Sequence, residues 1–113
     1  MSVSFDLQDD TLTLYLSGEI DHHNAKNLRQ KADNEILRLK SPKVILSFKD
    51  VSFMDSSGIG LIMGRYKLVS GYGGNVFIKD ASAYLKRVMR LAGLDSIVTI
   101  IQSNSANTKE EAK

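Results

Sequence analysis

Val51-Ser52-Phe53-Met54-Asp55-Ser56-Ser57-Gly58-Ile59-Gly60 is the stretch that decides how this chain folds. It reads as the end of a buried strand, a tight turn, and the start of an amphipathic helix. Upstream, Val44-Ile45-Leu46-Ser47-Phe48 is a β-branched and aliphatic run suited to a strand covered on both faces. Downstream, Ile59, Ile62, Met63, Tyr66 and Val69 recur at helical spacing and predict one core-facing stripe. Asp55, Ser56 and Ser57 therefore fall where a helix begins. Short oxygen-bearing side chains there accept hydrogen bonds from backbone N–H groups that have no partner inside the helix. Capping alone leaves Gly58 and Gly60 unexplained, because glycine in a first helical turn costs up to about 1 kcal/mol relative to alanine. Bare backbone would let another molecule approach the serine hydroxyls, and the N-terminal end of a helix favours an added phosphate.

The rest of the chain surrounds this stretch with alternating strands and helices. Val3, Phe5 and Leu7, then Leu12, Leu14 and Leu16, alternate with polar residues on either side of Asp9-Asp10, which predicts an opening β-hairpin. Gly18 to His23 reads as a loop leading into a helix. Ala25, Leu28, Ala32, Ile36 and Leu39 then mark that helix's apolar face. Ser41-Pro42 breaks it, and Gly71-Tyr72-Gly73-Gly74 ends the helix that follows the serines. Asn75-Val76-Phe77-Ile78 is a further strand. Ser82 can cap a third helix carrying Tyr84, Leu85, Val88, Met89 and Ala92, ended by Gly93, before a last strand at 97–101. The polar residues from 102 onward read as a frayed tail. An α/β domain results, with a mixed sheet and helices packed on it.

Composition narrows the function classes. The 113 residues suit one domain with a real core, and 42% hydrophobic with 25% charged residues is an ordinary soluble composition. The absence of cysteine rules out disulfides, thiol catalysis and cysteine-ligated zinc, and is consistent with a reducing cytoplasm. No stretch reaches the ~20 apolar residues of a membrane span, and the first ten residues do not read as a secretory signal. The net charge of +2 is spread over 15 basic and 13 acidic residues, without the basic stripe that nucleic-acid binding asks for.

Serine, histidine and aspartate, the residue types of a serine hydrolase, are all present. A nucleophile elbow reads Gly-x-Ser-x-Gly, but here Met54 stands where its first glycine should be. No histidine base is foreseeable beside Ser56 or Ser57. His22 and His23 are adjacent, so their side chains diverge and make a poor metal pair. Gly71 to Gly74 lacks the ending of a phosphate-binding P-loop and follows a helix instead of preceding one. Gly64, inside the second helix, serves either close helix packing or a smooth docking surface. Asp21 stands in the N-cap region of the first helix, an ordinary place for aspartate.

Two separated motifs carry a family resemblance: Leu16-Ser17-Gly18-Glu19-Ile20-Asp21-His22-His23-Asn24-Ala25, and Phe53 to Gly60 continuing through Gly64-Arg65-Tyr66-Lys67. The chain resembles the bacterial anti-sigma factor antagonists, which are stand-alone STAS domains, and most of all their sporulation branch, which releases sigma F. The likeness runs over nearly the whole chain. It implies a STAS fold with a mainly parallel sheet and helices largely on one side. It further implies that Ser56 is phosphorylated by an anti-sigma factor that is also a serine kinase, using its own bound ATP, and that a phosphatase reverses the modification. The partner surface it implies comprises Asp21, His22, Asp55, Ser56, Ser57, Gly58, Ile59, Gly60, Gly64 and Arg65. On this reading the chain has no catalytic residues, no metal and no cofactor of its own, and is a cytoplasmic monomer when free. The sigma B general-stress antagonists, a STAS scaffold, and a small serine hydrolase are the alternatives.

Overall fold

The computed structural model describes residues 2–101; the tail expected to fray lies outside the described residues. The elements in order are β1 (Ser2–Gln8), β2 (Thr11–Ile20), α1 (Ala25–Leu39), β3 (Lys43–Met54), α2 (Ser56–Gly71), β4 (Asn75–Lys79), α3 (Ala83–Leu91), a 3₁₀ turn (Leu94–Ser96) and β5 (Thr99–Ile101). The five strands lie side by side in sequence order, with β1 antiparallel to β2 and every other pair parallel. The expected hairpin is there, turned at Asp9-Asp10 with Asp9 at φ 54°. Aspartate tolerates that left-handed conformation better than most residues.

Register explains where the core sits. Leu12, Val44 and Val76 are aligned across β2, β3 and β4, and so are Leu14, Leu46 and Ile78. All six are buried, because side chains two apart on a strand share a face. Leu28, Ala32 and Ile36 of α1, Ile62 and Val69 of α2, and Leu85 and Met89 of α3 join the same cluster. The helices thus cover this one face of the sheet. The opposite face, with Tyr15, Ile45 and Phe77, is only partly covered, so β3 is not sealed on both sides as its composition suggests. Lys43 Nζ lies 5.0 Å from the centre of the Phe77 ring on that side, a cation–π contact.

Three local expectations are revised near the site, and the last strand, expected from 97, begins at Thr99 because the Ile97 and Val98 N–H groups both donate to Leu94 O. β2 continues through Ser17, Gly18 and Glu19 to Ile20, where a loop was expected. β3 runs six residues past Phe48 to Met54, and the tight turn before α2 shrinks to Asp55 alone. Both extensions have one cause: register shifts between Tyr15 and Ser17 and between Gly18 and Glu19 of β2 absorb extra residues of β3, so pairing resumes beyond each irregularity. Third, the buried residues of α2 are Gly58, Leu61, Ile62, Arg65 and Val69. Ile59 and Tyr66 are half-buried and Met63 is exposed, so the true stripe is rotated toward α1.

The ends of the elements follow their chemistry. Ser82 caps α3, its hydroxyl accepting from Leu85 N–H at 3.2 Å. Gly93 follows that helix at φ 81°. At the end of α2, Gly74 N–H donates to Val69 O, and a Cβ on Gly74 would press on Val69 Cγ1 at 2.7 Å and Pro42 O at 3.1 Å. Tyr72 fastens the same corner, donating its hydroxyl to Ser41 O at 2.8 Å.

Candidate functional site

The serine loop hangs from two strands. Asp55 N–H donates to Ile20 O at 3.2 Å, which ties the end of β3 to the end of β2. The Asp55 backbone is extended (φ −99°, ψ −166°), and Oδ1 accepts from Ser57 N–H at 2.8 Å, so aspartate is the N-cap of α2. Its carbonyl accepts from Gly58 N–H at 2.9 Å. Capping is therefore carried by Asp55, and the serines are spared for other work. Ser56 is exposed, and its hydroxyl has no hydrogen bond among the described residues. Ser57 is half-buried beside it.

The glycines of α2 divide by what surrounds them. A Cβ on Gly58 would overlap Met54 Cγ and Sδ and touch Ile20 Cγ2 at 3.4 Å, so this glycine is dictated by the packing of the loop on β2 and β3. Gly60 and Gly64 have nothing within 4 Å of such an atom. No neighbour in the chain requires glycine at either place, and each one weakens the helix by about 1 kcal/mol relative to alanine. Ser56, Gly60, Met63 and Lys67 are all exposed and lie three or four residues apart, forming one outward stripe along α2. Exposed Phe53 lies three residues before Ser56 on the outgoing strand.

Asp21 organises the neighbouring corner. Its Oδ1 accepts from His23 N–H and Asn24 N–H at 3.0 Å each, and its carbonyl accepts from Asn24 and Ala25 N–H. It caps the turn that leads into α1, while the helix's own N-cap, Asn24, makes no side-chain cap and donates instead to Glu19 O. His22 and His23 are exposed, with ring centres 5.9 Å apart and planes inclined at 67°. Among the described residues, no group of three histidine, cysteine, aspartate or glutamate side chains could hold a metal.

These corners meet in an open cavity of about 620 Å³ between the first turns of α1 and α2. His22, His23, Lys26 and Arg29 line one wall, and Ser57, Gly60 and Leu61 the other. The fold thus brings His22 to the serine loop from more than 30 positions away in sequence. The family resemblance implies His22 on this surface but no histidine base for the serines, and no hydrogen bond joins either imidazole to Ser57 among the described residues. Lys26 and Arg29 were missed altogether. Each directly follows an apolar-face residue, Ala25 or Leu28, so the two lie three apart beside the core stripe of α1, and this was the available signal.

Arg65 differs from the surface role implied for it. It is 5% exposed, with Nε 2.7 Å from Asp33 Oδ1 on α1 and Nη1 donating to Leu61 O at 3.3 Å. Nη2 donates to Asp33 Oδ2 at 3.4 Å, while Nε and Oδ1, though close, make no hydrogen bond with each other. Burial pushes the guanidinium below its ordinary pKa, Asp33 opposes that shift, and the positive charge of Arg29 adds to it. Arg65 is an interior clamp between α2 and α1. Ile59 is likewise turned partly into the core.

Against known proteins, residues 2–112 match the STAS domain family. The chain is 39% identical over 100 residues to the anti-sigma F factor antagonist of Paenibacillus polymyxa, covering 88% of this chain and 85% of that one. It is 31% identical over 102 residues to the anti-sigma-B factor antagonist of Bacillus subtilis (strain 168), covering 88% and 92%. Among solved structures it is similar to the anti-sigma factor antagonist SpoIIAA in its unphosphorylated form, with TM-score 0.71 and 25% identity over 91% of this chain and 90% of that one. The Bacillus cell fate determinant SpoIIAA in its phosphorylated form is similar as well, with TM-score 0.69 and 27% identity over 90% and 93%.

Proposed function

This chain belongs to the STAS domain family, among its anti-sigma factor antagonists, and from that premise we propose that it is a phosphorylation-controlled antagonist of the sporulation, sigma F type. The unmodified chain docks its serine loop and the outer stripe of α2 on an anti-sigma factor that is also a serine kinase. Docking displaces the sigma factor. The kinase then uses its own bound ATP to modify Ser56: the hydroxyl oxygen bonds to the γ-phosphorus, the bond to the ADP oxygen breaks, and the hydroxyl proton is lost. The modified chain lets go, and a phosphatase restores the hydroxyl. The chain acts in the cytoplasm, as a monomer when free, as a substrate and regulator and not as a catalyst, with no cofactor of its own.

One observation carries this reading: Ser56 is exposed with an unengaged hydroxyl, on the same stripe as a glycine that no neighbour in the chain requires. A phosphate adds about −1.5 to −2 charges to that surface. Its own helix N-terminus tolerates the charge, but a partner packed against bare backbone does not. The likeness to SpoIIAA in both its unphosphorylated and phosphorylated forms supports release without refolding. Incubation with the cognate kinase and ATP, followed by mass spectrometry, tests the assignment; one phosphate on Ser56 is expected, and none on Ser56 would overturn it. The sigma B branch is separated by pull-down against each anti-sigma factor.

A second reading has one observation in its favour, the shared cavity of Ser57, His22 and His23. In it, Ser57 is a hydrolase nucleophile. A nucleophile–base hydrogen bond among the described residues is what it lacks. Labelling of Ser57 by a fluorophosphonate would support it, and its failure alongside ATP-dependent phosphorylation would remove it.

A further inference from the structure

The cavity between α1 and α2 holds more positive charge than the fold uses. Lys26 and Arg29 are both exposed, and neither has an ion pair or hydrogen bond among the described residues. No carboxylate lines the cavity. Asp21 and Asp55 flank it, but an oxygen of each is committed to backbone N–H groups of its own turn. Asp33, the nearby carboxylate of α1, is paired with Arg65. Arg29 and Arg65 repel each other, and Asp33 is engaged by Arg65 alone among the described residues. The excess charge is left at the cavity wall.

The facing wall belongs to the start of α2, where Ser57 adjoins Ser56 and Gly60 lies on the outer stripe. A partner packed over the serine loop and Gly60 lies at the cavity mouth, where it strips water from Lys26 and Arg29 on the facing wall. Covering a cation without a counter-charge is unfavourable, and the penalty is offset only if the partner supplies the missing anion. We propose that Lys26 and Arg29 form the receiving half of an electrostatic contact, and that the protein partner seats one or more acidic side chains in the cavity between α1 and α2. This rests on the docking proposed above and gives that surface a second part: the outer stripe of α2 provides close approach, and the α1 wall provides charge recognition. Contacts of this kind act mainly on the rate of encounter and on its dependence on salt.

The test is stopped-flow association of the full-length chain with its cognate anti-sigma factor at low and high salt. Wild type, the double charge reversal Lys26→Glu/Arg29→Glu, the neutral Lys26→Gln/Arg29→Gln, and Ser56→Asp are compared, with thermal melting of each. At low salt the reversal slows association by about tenfold or more and the neutral variant by less, and both differences shrink at high salt. Melting temperatures stay close to wild type, because both side chains are exposed and unpaired. If wild type binds, Ser56→Asp does not, and the reversal associates at the wild-type rate, the cavity proposal is wrong while the docking stands. If wild type fails to bind at all, both fall. Titration with inorganic phosphate supplies the other check: submillimolar saturation, read from the amide signals of Lys26 and Arg29, would mark a small-anion site and overturn the acidic-partner assignment.

Discussion

Arg65 Nε on α2 lies 2.7 Å from Asp33 Oδ1 on α1, and this ion pair joins the two helices whose first turns frame the site. The two ends are unequal: the arginine side chain is 6% exposed and the aspartate side chain 30%. Removing the aspartate strands a buried cation, whereas removing the arginine leaves a carboxylate that water can reach. Asp33→Ala is therefore expected to cost on the order of 3 kcal/mol and Arg65→Met distinctly less, measured by urea unfolding. The reverse order would mean that Arg65 acts chiefly through packing.

The glycines of α2 yield a prediction with opposite signs. Gly60→Ala and Gly64→Ala each stabilise the chain by about 0.5–1 kcal/mol, since the helix gains propensity and the new methyl meets nothing. Both weaken binding to the anti-sigma factor. Gly58→Ala instead destabilises by roughly 1–3 kcal/mol through overlap with Met54. Thermal melts and calorimetric titration of the three variants check this. Loss of stability in Gly60→Ala would show a close contact within the chain.

Most of this architecture was legible in the sequence. The hairpin, the order of strands and helices, the Ser82 cap and the glycine-rich stop after α2 all rest on local chemistry that acts over a few residues. The full length of β3 was not legible, because its end depends on irregular pairing with Ser17 to Ile20 of β2, a non-local contact. The core face of α2 was misjudged by about one residue. Counting apolar positions selects Met63 and Tyr66, whereas the structure turns in Leu61 and the charged Arg65, whose burial is possible only because Asp33 of another helix meets it. At the site itself, Asp55, Ser56 and Ser57 were located by capping logic, but not the division of labour in which aspartate caps and serine stays free. That close packing does not demand glycine at position 64 depended on the space around it, which is tertiary.

Tyr72 provides a pH-dependent check on the corner that ends α2. Burial raises its pKa above the ordinary 10.0, and its hydroxyl donates to Ser41 O. A group whose pKa is raised on folding contributes stability that is complete below the unfolded value and is lost as pH rises through the folded one. Wild type should lose stability above about pH 10 more steeply than Tyr72→Phe. The variant should already be weaker by about 1 kcal/mol at neutral pH. Parallel alkaline slopes in the two proteins would contradict the assignment.

Ser56 variants separate binding from folding. Ser56→Asp and Ser56→Ala should both unfold within about 0.5 kcal/mol of wild type, because the side chain is exposed and makes no hydrogen bond among the described residues. Ser56→Ala should capture the anti-sigma factor and hold it when ATP is added. Ser56→Asp should bind poorly. Native gel shifts with and without ATP distinguish the two behaviours.

The most direct measurement is the affinity of one anti-sigma factor for the unmodified chain and for chain carrying a single phosphate on Ser56, by isothermal titration at the same salt concentration. A penalty near 3 kcal/mol corresponds to binding weakened by more than about a hundredfold, and that is the result expected. Equal affinity for the two forms would contradict it.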